Sequence, residues 1–259
     1  MLRTEHVMGM PVRVDVRAAA DPSVLDHVFA LLRDVDARFS PFRAGSAVAR
    51  RARGEAAPDA ALDAVLARCE ALRMRTGGYF DARAGGRLDP SGLVKGWAVD
   101  RAAALLDAAG VVRWCVDAGG DVRVRGGGWR IGVRHPDDPL LLAGVLVLDD
   151  GAVATSGAYE RGPHVIDPHS GRPPEGVRSV TVVGSRLATA DAYATAAFAM
   201  GRRGPAWTAR QRGHDAMTIL DGDRVLATPG FLARCPGGSP AASLRRARGG
   251  PHSLHLTME

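Results

Sequence analysis

Between Val111 and Gly157 the sequence runs through five short segments, VVRWCVDA, DVRVRG, WRIGVRH, AGVLVLDD and GAVATSG, separated in part by GG, GGG and DDG. Apolar and polar residues alternate within these segments, the period of strands with one buried face. Breaks of two or three residues leave no room for a crossover, so strands joined by them run antiparallel. A chain with this middle segment is built around an antiparallel sheet.

Helical periodicity flanks it. SVLDHVFALLRDVDARF repeats apolar residues at helical spacing after the capping candidate Asp21, with Pro22 in the first turn. Residues 58–75, 92–109 and 188–200 read as further helices, the last two closed by Gly110 and Gly201, and 204–212 as a short one. HVMGMPVRVDV and VRSVTVVGS read as strands, and DAMTIL and RVLATP as a final pair. No linker or repeat interrupts residues 1–228, which are expected to form a single α+β domain. Residues 229–259, rich in Pro, Gly, Ser and Arg, are expected to form a disordered tail.

Hydrophobic residues make up 46% of the 259, enough for a proper core. The net charge is +6, but the segment from 229 holds four Arg against one Glu, which leaves +3 on the rest. That excess suits an anionic small molecule. It lacks the basic stripe with interleaved aromatics of a nucleic-acid binder, so none is expected as a partner. Cys69, Cys115 and Cys235 are odd in number and lack metal-ligand spacing, and they read as reduced, buried thiols. The opening residues carry no apolar signal core or lipid-attachment cysteine, and no stretch reaches the length of a membrane span, so a cytoplasmic protein is expected.

Of the 34 basic residues, 33 are arginine; Lys95 is the single lysine. In a chain where Arg serves wherever a plain positive charge suffices, a retained lysine marks a place for a compact point charge, such as one beside a phosphate oxygen. Lys95 lies in LDPSGLVKG, where Asp89 and Pro90 form a turn and Ser91 and Gly92 open a helix with free N–H groups. A second constellation is ATADAYATAAFAMG. Asp191 and Thr195 stand four apart on one face of an otherwise apolar helix, which suits either Mg²⁺ ligation or a carboxylate satisfying the helix start. The third is ATSGAYERGPHVIDPHSGRP, where His164 near Asp167 is a candidate general base. A Ser156/His164/Asp167 hydrolase triad is the competing arrangement, without the nucleophile-elbow pattern.

TGGYFD (76–81), DPSGLVKGWAVDRA (89–102), DAGGDVRVRG (117–126), ATSGAYERGPHVIDPHSGRP (154–173) and ADAYATAAFAMG (190–201) occur in the order found in the ApbE family of FAD:protein FMN transferases, which the chain resembles over roughly residues 5–228. The resemblance implies an ApbE-type (T-fold-like) domain of antiparallel strands packed with helices. It implies Mg²⁺-dependent transfer of FMN from FAD to a Ser or Thr hydroxyl of an acceptor protein, releasing AMP. The alternatives are an FAD pyrophosphatase giving FMN and AMP, or a non-catalytic FAD binder. Carried over by motif, Asp191, Thr195 and the carbonyl of Gly92 would hold Mg²⁺. Met8, Phe42, Gly78, Tyr79, Phe80, Asp89, Lys95 and Ile166 would contact FAD, and His164 would be the catalytic histidine with Lys95 beside it. The chain departs from the family pattern in MGM at 8–10, in Phe42 where a Tyr is usual, and in a short stretch between FD and DPSG.

Overall fold

The computed structural model describes residues 1–55, 58–158 and 165–238. Its eight strands form one antiparallel sheet in sequence order: β1 (Leu2–Val7), β2 (Met10–Val16), β3 (Trp114–Ala118), β4 (Asp121–Arg134), β5 (Leu142–Gly157), β6 (Val177–Gly184), β7 (Asp215–Leu220) and β8 (Val225–Ala227). Helices α1 (Ser23–Phe39), α2 (Ala47–Ala52), α3 (Ala60–Arg75) and α4 (Ser91–Ala108) separate β2 from β3. Helices α5 (Leu187–Ala199) and α6 (Gly204–Thr208) separate β6 from β7, and α7 (Pro229–Ala233) follows β8. This is the α+β, antiparallel class expected from the sequence.

Two of the strand assignments differ from the sequence reading. HVMGMPVRVDV is a hairpin, with Val7 opposite Met10 and both turn residues at positive φ, Met8 at 56° and Gly9 at 74°. Such a two-residue turn follows the strand twist, so it fits inside what alternation alone reads as one strand. The GGG and DDG breaks are not turns. Gly126 to Gly128, all at positive φ, and the segment around Gly151 face each other across one long β4–β5 ladder, whose register shifts between Arg125 and Trp129. Glycines free to take positive φ let β4 bulge there without leaving the ladder.

One core lies between the sheet and the helices and includes Val12, Val14, Phe29, Leu32, Trp114 and Leu187. A second lies on the other face, around Trp129, Ile131, Leu146 and Ile219. Phe231 of α7, fully buried at 0% exposure, belongs to this second core with Cys235. The domain boundary expected at 228 therefore falls too early: burial of one aromatic draws the first part of a Pro- and Gly-rich segment onto the sheet. Residues 239–259, the rest of the expected tail, lie outside the described residues. The three cysteines are free and buried, as expected, and desolvation pushes the Cys69 thiol up to about 12. Among the described residues no helix is long and apolar enough to cross a membrane.

Candidate active site

Helix α5 is buried nearly all round and apolar apart from Thr189, Asp191 and Thr195. It is sandwiched between β5 and β6 below and α4 above, and its run of alanines permits close approach from both directions. On the α4 side the two helices meet closely at Gly96, where a Cβ would stand 2.7 Å from the backbone of Leu187 and Ala188. Four residues on, Asp100 accepts the N–H groups of Leu187 at 3.0 Å and Ala188 at 3.1 Å. The start of α5 is thus satisfied by a carboxylate of another helix, since its own N-cap, Arg186, makes no side-chain cap. Asp191 sits in the second turn, so the sequence alternative that makes it the cap of α5 is displaced by Asp100.

This docking brings Lys95 of α4 to Asp191 of α5. Lys95 Nζ lies 3.4 Å from Asp191 Oδ2 and in closer ion-pair contact with Asp121 Oδ2, at the start of β4. Both carboxylates are buried, Asp121 at 2% and Asp191 at 3% exposure. One turn beyond Asp191, the Thr195 hydroxyl lies 3.3 Å from the Ser156 hydroxyl on β5. Thr155 Oγ1 lies 3.0 Å from Thr181 Oγ1, and the Thr155 N–H donates to Asp121 Oδ1 at 3.0 Å. Carboxylates of Asp121 and Asp191 thus flank one ammonium, with the Thr195–Ser156 hydroxyl pair one turn of α5 away; Thr155 and Thr181, in step with Val153 and Val183, carry their side chains on the other face of the sheet. Sequence reasoning missed Asp121, although it closes the DAGGD motif: strand alternation places its side chain on a face but does not say which helix meets that face.

The glycine-rich segment before α4 forms an adjoining wall. Asp89 accepts the N–H of Ser91 at 3.0 Å, and Arg87 lies 3.6 Å from Asp89. The same guanidinium stands 5.0 Å from the ring centre of Phe42, which is 77% exposed. Arg87, which sequence reasoning also missed, therefore ties two of the expected FAD contacts together. Phe80 is buried against Gly92, where a Cβ would lie 3.2 Å from its ring. Gly78, at φ 88°, faces the His169 imidazole, and His169 Nε2 lies 2.9 Å from the Gly77 carbonyl oxygen. The Tyr79 hydroxyl accepts from Arg203, and its ring meets His169 edge-on at 4.5 Å. Met8 lies at the β1–β2 turn and Ile166 past β5, both half-buried.

His164 lies outside the described residues. Asp167, proposed with it, is committed to its own turn: it accepts the N–H of His169 at 2.9 Å and the Ser170 hydroxyl at 3.0 Å. With Ser156 at Thr195 and Asp167 in this turn, the hydrolase-triad reading finds no support. A separate group, His135, Asp137 and Asp223, also holds metal-compatible spacing, but Asp137 is already paired with Arg178.

A model of the ApbE family matches residues 82–218, more than half of the chain. The chain is 37% identical over 171 residues to an FAD:protein FMN transferase of Rhodobacter capsulatus, covering 60% of this chain and 33% of that protein. It is 37% identical over 129 residues to one of Vibrio cholerae, covering 44% and 39%. It thus spans between a third and two fifths of the length of these two curated relatives. Among solved structures, the ApbE protein of Thermotoga maritima superposes with a TM-score of 0.80 at 23% identity, covering 90% of this chain and 98% of that one. The flavin transferase ApbE of Vibrio cholerae gives 0.79 at 22%, with coverages of 90% and 98%. These two likenesses establish the fold.

Proposed function

The chain belongs to the ApbE family, and we propose that it transfers FMN from FAD to a serine or threonine hydroxyl of an acceptor protein, releasing AMP. The observation that carries this reading is the meeting of Lys95, Asp121 and Asp191 beside the glycine-rich wall at residues 77–92. The names of the relatives, FAD:protein FMN transferase, point the same way.

The donor set fits Mg²⁺. Asp191 and Thr195 offer oxygens from one face of α5, the carbonyl of Gly92 would join them by the family pattern, and neither thiolate nor imidazole stands among these donors. Bound there, Mg²⁺ would offset the charge of the FAD diphosphate. Lys95 would add a point charge to the same group, and Met8, Phe42, Gly78, Tyr79, Phe80, Asp89 and Ile166 would hold the rest of FAD. His164 would take the proton of the acceptor hydroxyl. The hydroxyl oxygen then bonds to the FMN phosphorus, the phosphoanhydride bond to AMP breaks, and AMP leaves with the electron pair of that bond.

The test is AMP release and in-gel flavin fluorescence of an acceptor, with FAD and with or without Mg²⁺. Asp191→Ala should lose AMP release at saturating FAD while keeping FAD affinity; near-normal Mg²⁺-dependent turnover overturns the metal assignment. His164→Ala should retain FAD while transfer falls by roughly two to four orders of magnitude. Weakened FAD binding with a preserved single-turnover rate rules out the base.

A further inference from the structure

We propose that Asp121 is a positioning residue for Lys95, the counterion that fixes where the ammonium stands in the cleft. Asp121 is 2% exposed, and a carboxylate so buried is stable only beside a cation or a set of donors. Its two oxygens divide these tasks. Oδ1 accepts the Thr155 N–H from β5 at 3.0 Å, and Oδ2 meets Lys95 Nζ.

The carboxylate is itself held at a rigid point of the sheet. Asp121 opens β4 directly after the Gly119–Gly120 turn, paired with Ala118 of β3. Lys95, by contrast, reaches the cleft on a flexible four-carbon stem whose rotamer freedom must be given up to hold one position. Asp191, a further partner at 3.4 Å, is the residue that the proposed function assigns to the metal. A divalent ion on Asp191 repels the ammonium, and Asp121 then keeps Nζ beside the cleft instead of releasing it to solvent.

The kinetic part of the test rests on the proposed function; the spectroscopic part does not. Because Lys95 is the single lysine, ¹⁵N-lysine labelling reports one side-chain ammonium. Metal-free wild type at a fixed, near-neutral pH should show a Nζ cross peak protected from solvent exchange. Its absence overturns the proposal before any variant is made. Asp121→Asn keeps an oxygen for the Thr155 N–H but removes the charge, and should lose the protected peak; a peak that persists overturns the proposal.

With FAD and Mg²⁺, the same variant should lose roughly a hundredfold in kcat for AMP release, with KM within about threefold. Adding Asp121→Asn to Lys95→Met should cost nothing beyond Lys95→Met alone, since Asp121 acts through the lysine. Losses that multiply in the double variant overturn the proposal. A wild type that releases no AMP removes the activity reading and leaves the ammonium peak to decide.

Discussion

Asp100, midway along α4, accepts the backbone N–H of Leu187 at 3.0 Å and so holds the first turn of α5. The helix that carries Lys95 is thereby pinned to the helix that carries Asp191 and Thr195. Asp100→Ala strands the N–H groups of Leu187 and Ala188 in a buried setting. It should destabilise the protein by about 2 to 3 kcal/mol, read from denaturant unfolding. A change within a few tenths of a kcal/mol would mean that other groups take over the cap.

Gly96→Ala tests the same junction by steric means. The added methyl group would stand 2.7 Å from three backbone atoms of Leu187 and Ala188, none of which can rotate away. Forced separation of the helices should cost about 1 to 3 kcal/mol. AMP release should suffer more than FAD affinity, because the junction sets the distance from Lys95 to Asp191. Equal losses in both would place the damage in the fold at large.

A chain ending at Thr228 should be clearly less stable than one ending after Gly238. It loses Phe231, fully buried in the second core, and the Arg234–Asp215 ion pair at 2.7 Å. Removal of such an aromatic costs about 3 to 5 kcal/mol. Coincident melting curves for the two chains would show that α7 contributes nothing.

His214 predicts a pH dependence. Its ring packs against Gly184 and beside Tyr193, and desolvation holds its pKa below the ordinary histidine value, with the Arg212 carbonyl partly opposing the shift. The unfolded chain therefore takes up this proton first as pH falls, so stability drops from about pH 6.5 downward and is level above it. His214→Gln should remove that part of the acid loss. Parallel Tm profiles for wild type and variant between pH 5 and 8 would refute the assignment.

Local pattern made the helices around Lys95 and Asp191 legible to within a residue at their starts: 92–109 was expected against Ser91–Ala108, and 188–200 against Leu187–Ala199. The one-face spacing of Asp191 and Thr195 was legible for the same reason, since i, i+4 geometry needs only the helix. Asp121 and Asp100 were not. Each acts across a contact between elements distant in sequence, one meeting a helix from the sheet and the other capping a helix to which it does not belong. Their types are ordinary in a strand and a helix; the close approach at Gly96 gives Asp100 its partners, and the packing of α4 over the sheet gives Asp121 its own. The long β4–β5 ladder was misjudged because GGG and DDG are equally good as turns and as a bulge, and the choice depends on what lies opposite.

The order of the strands has a consequence for how the chain reaches this state. Every strand pairs with the next along the sequence, but the ladder between β2 and β3 joins residues 12–16 to residues 114–118 across the four helices α1 to α4. Closing that loop is the most entropically demanding step in the sheet. The connections within β3–β8, the longest running from Gly184 to Asp215 through α5 and α6, are all far shorter, and the N-terminal hairpin then adds to an edge already formed. Refolding should accordingly show protection of the Asp121 and Thr155 amides ahead of those of Val12 and Val14.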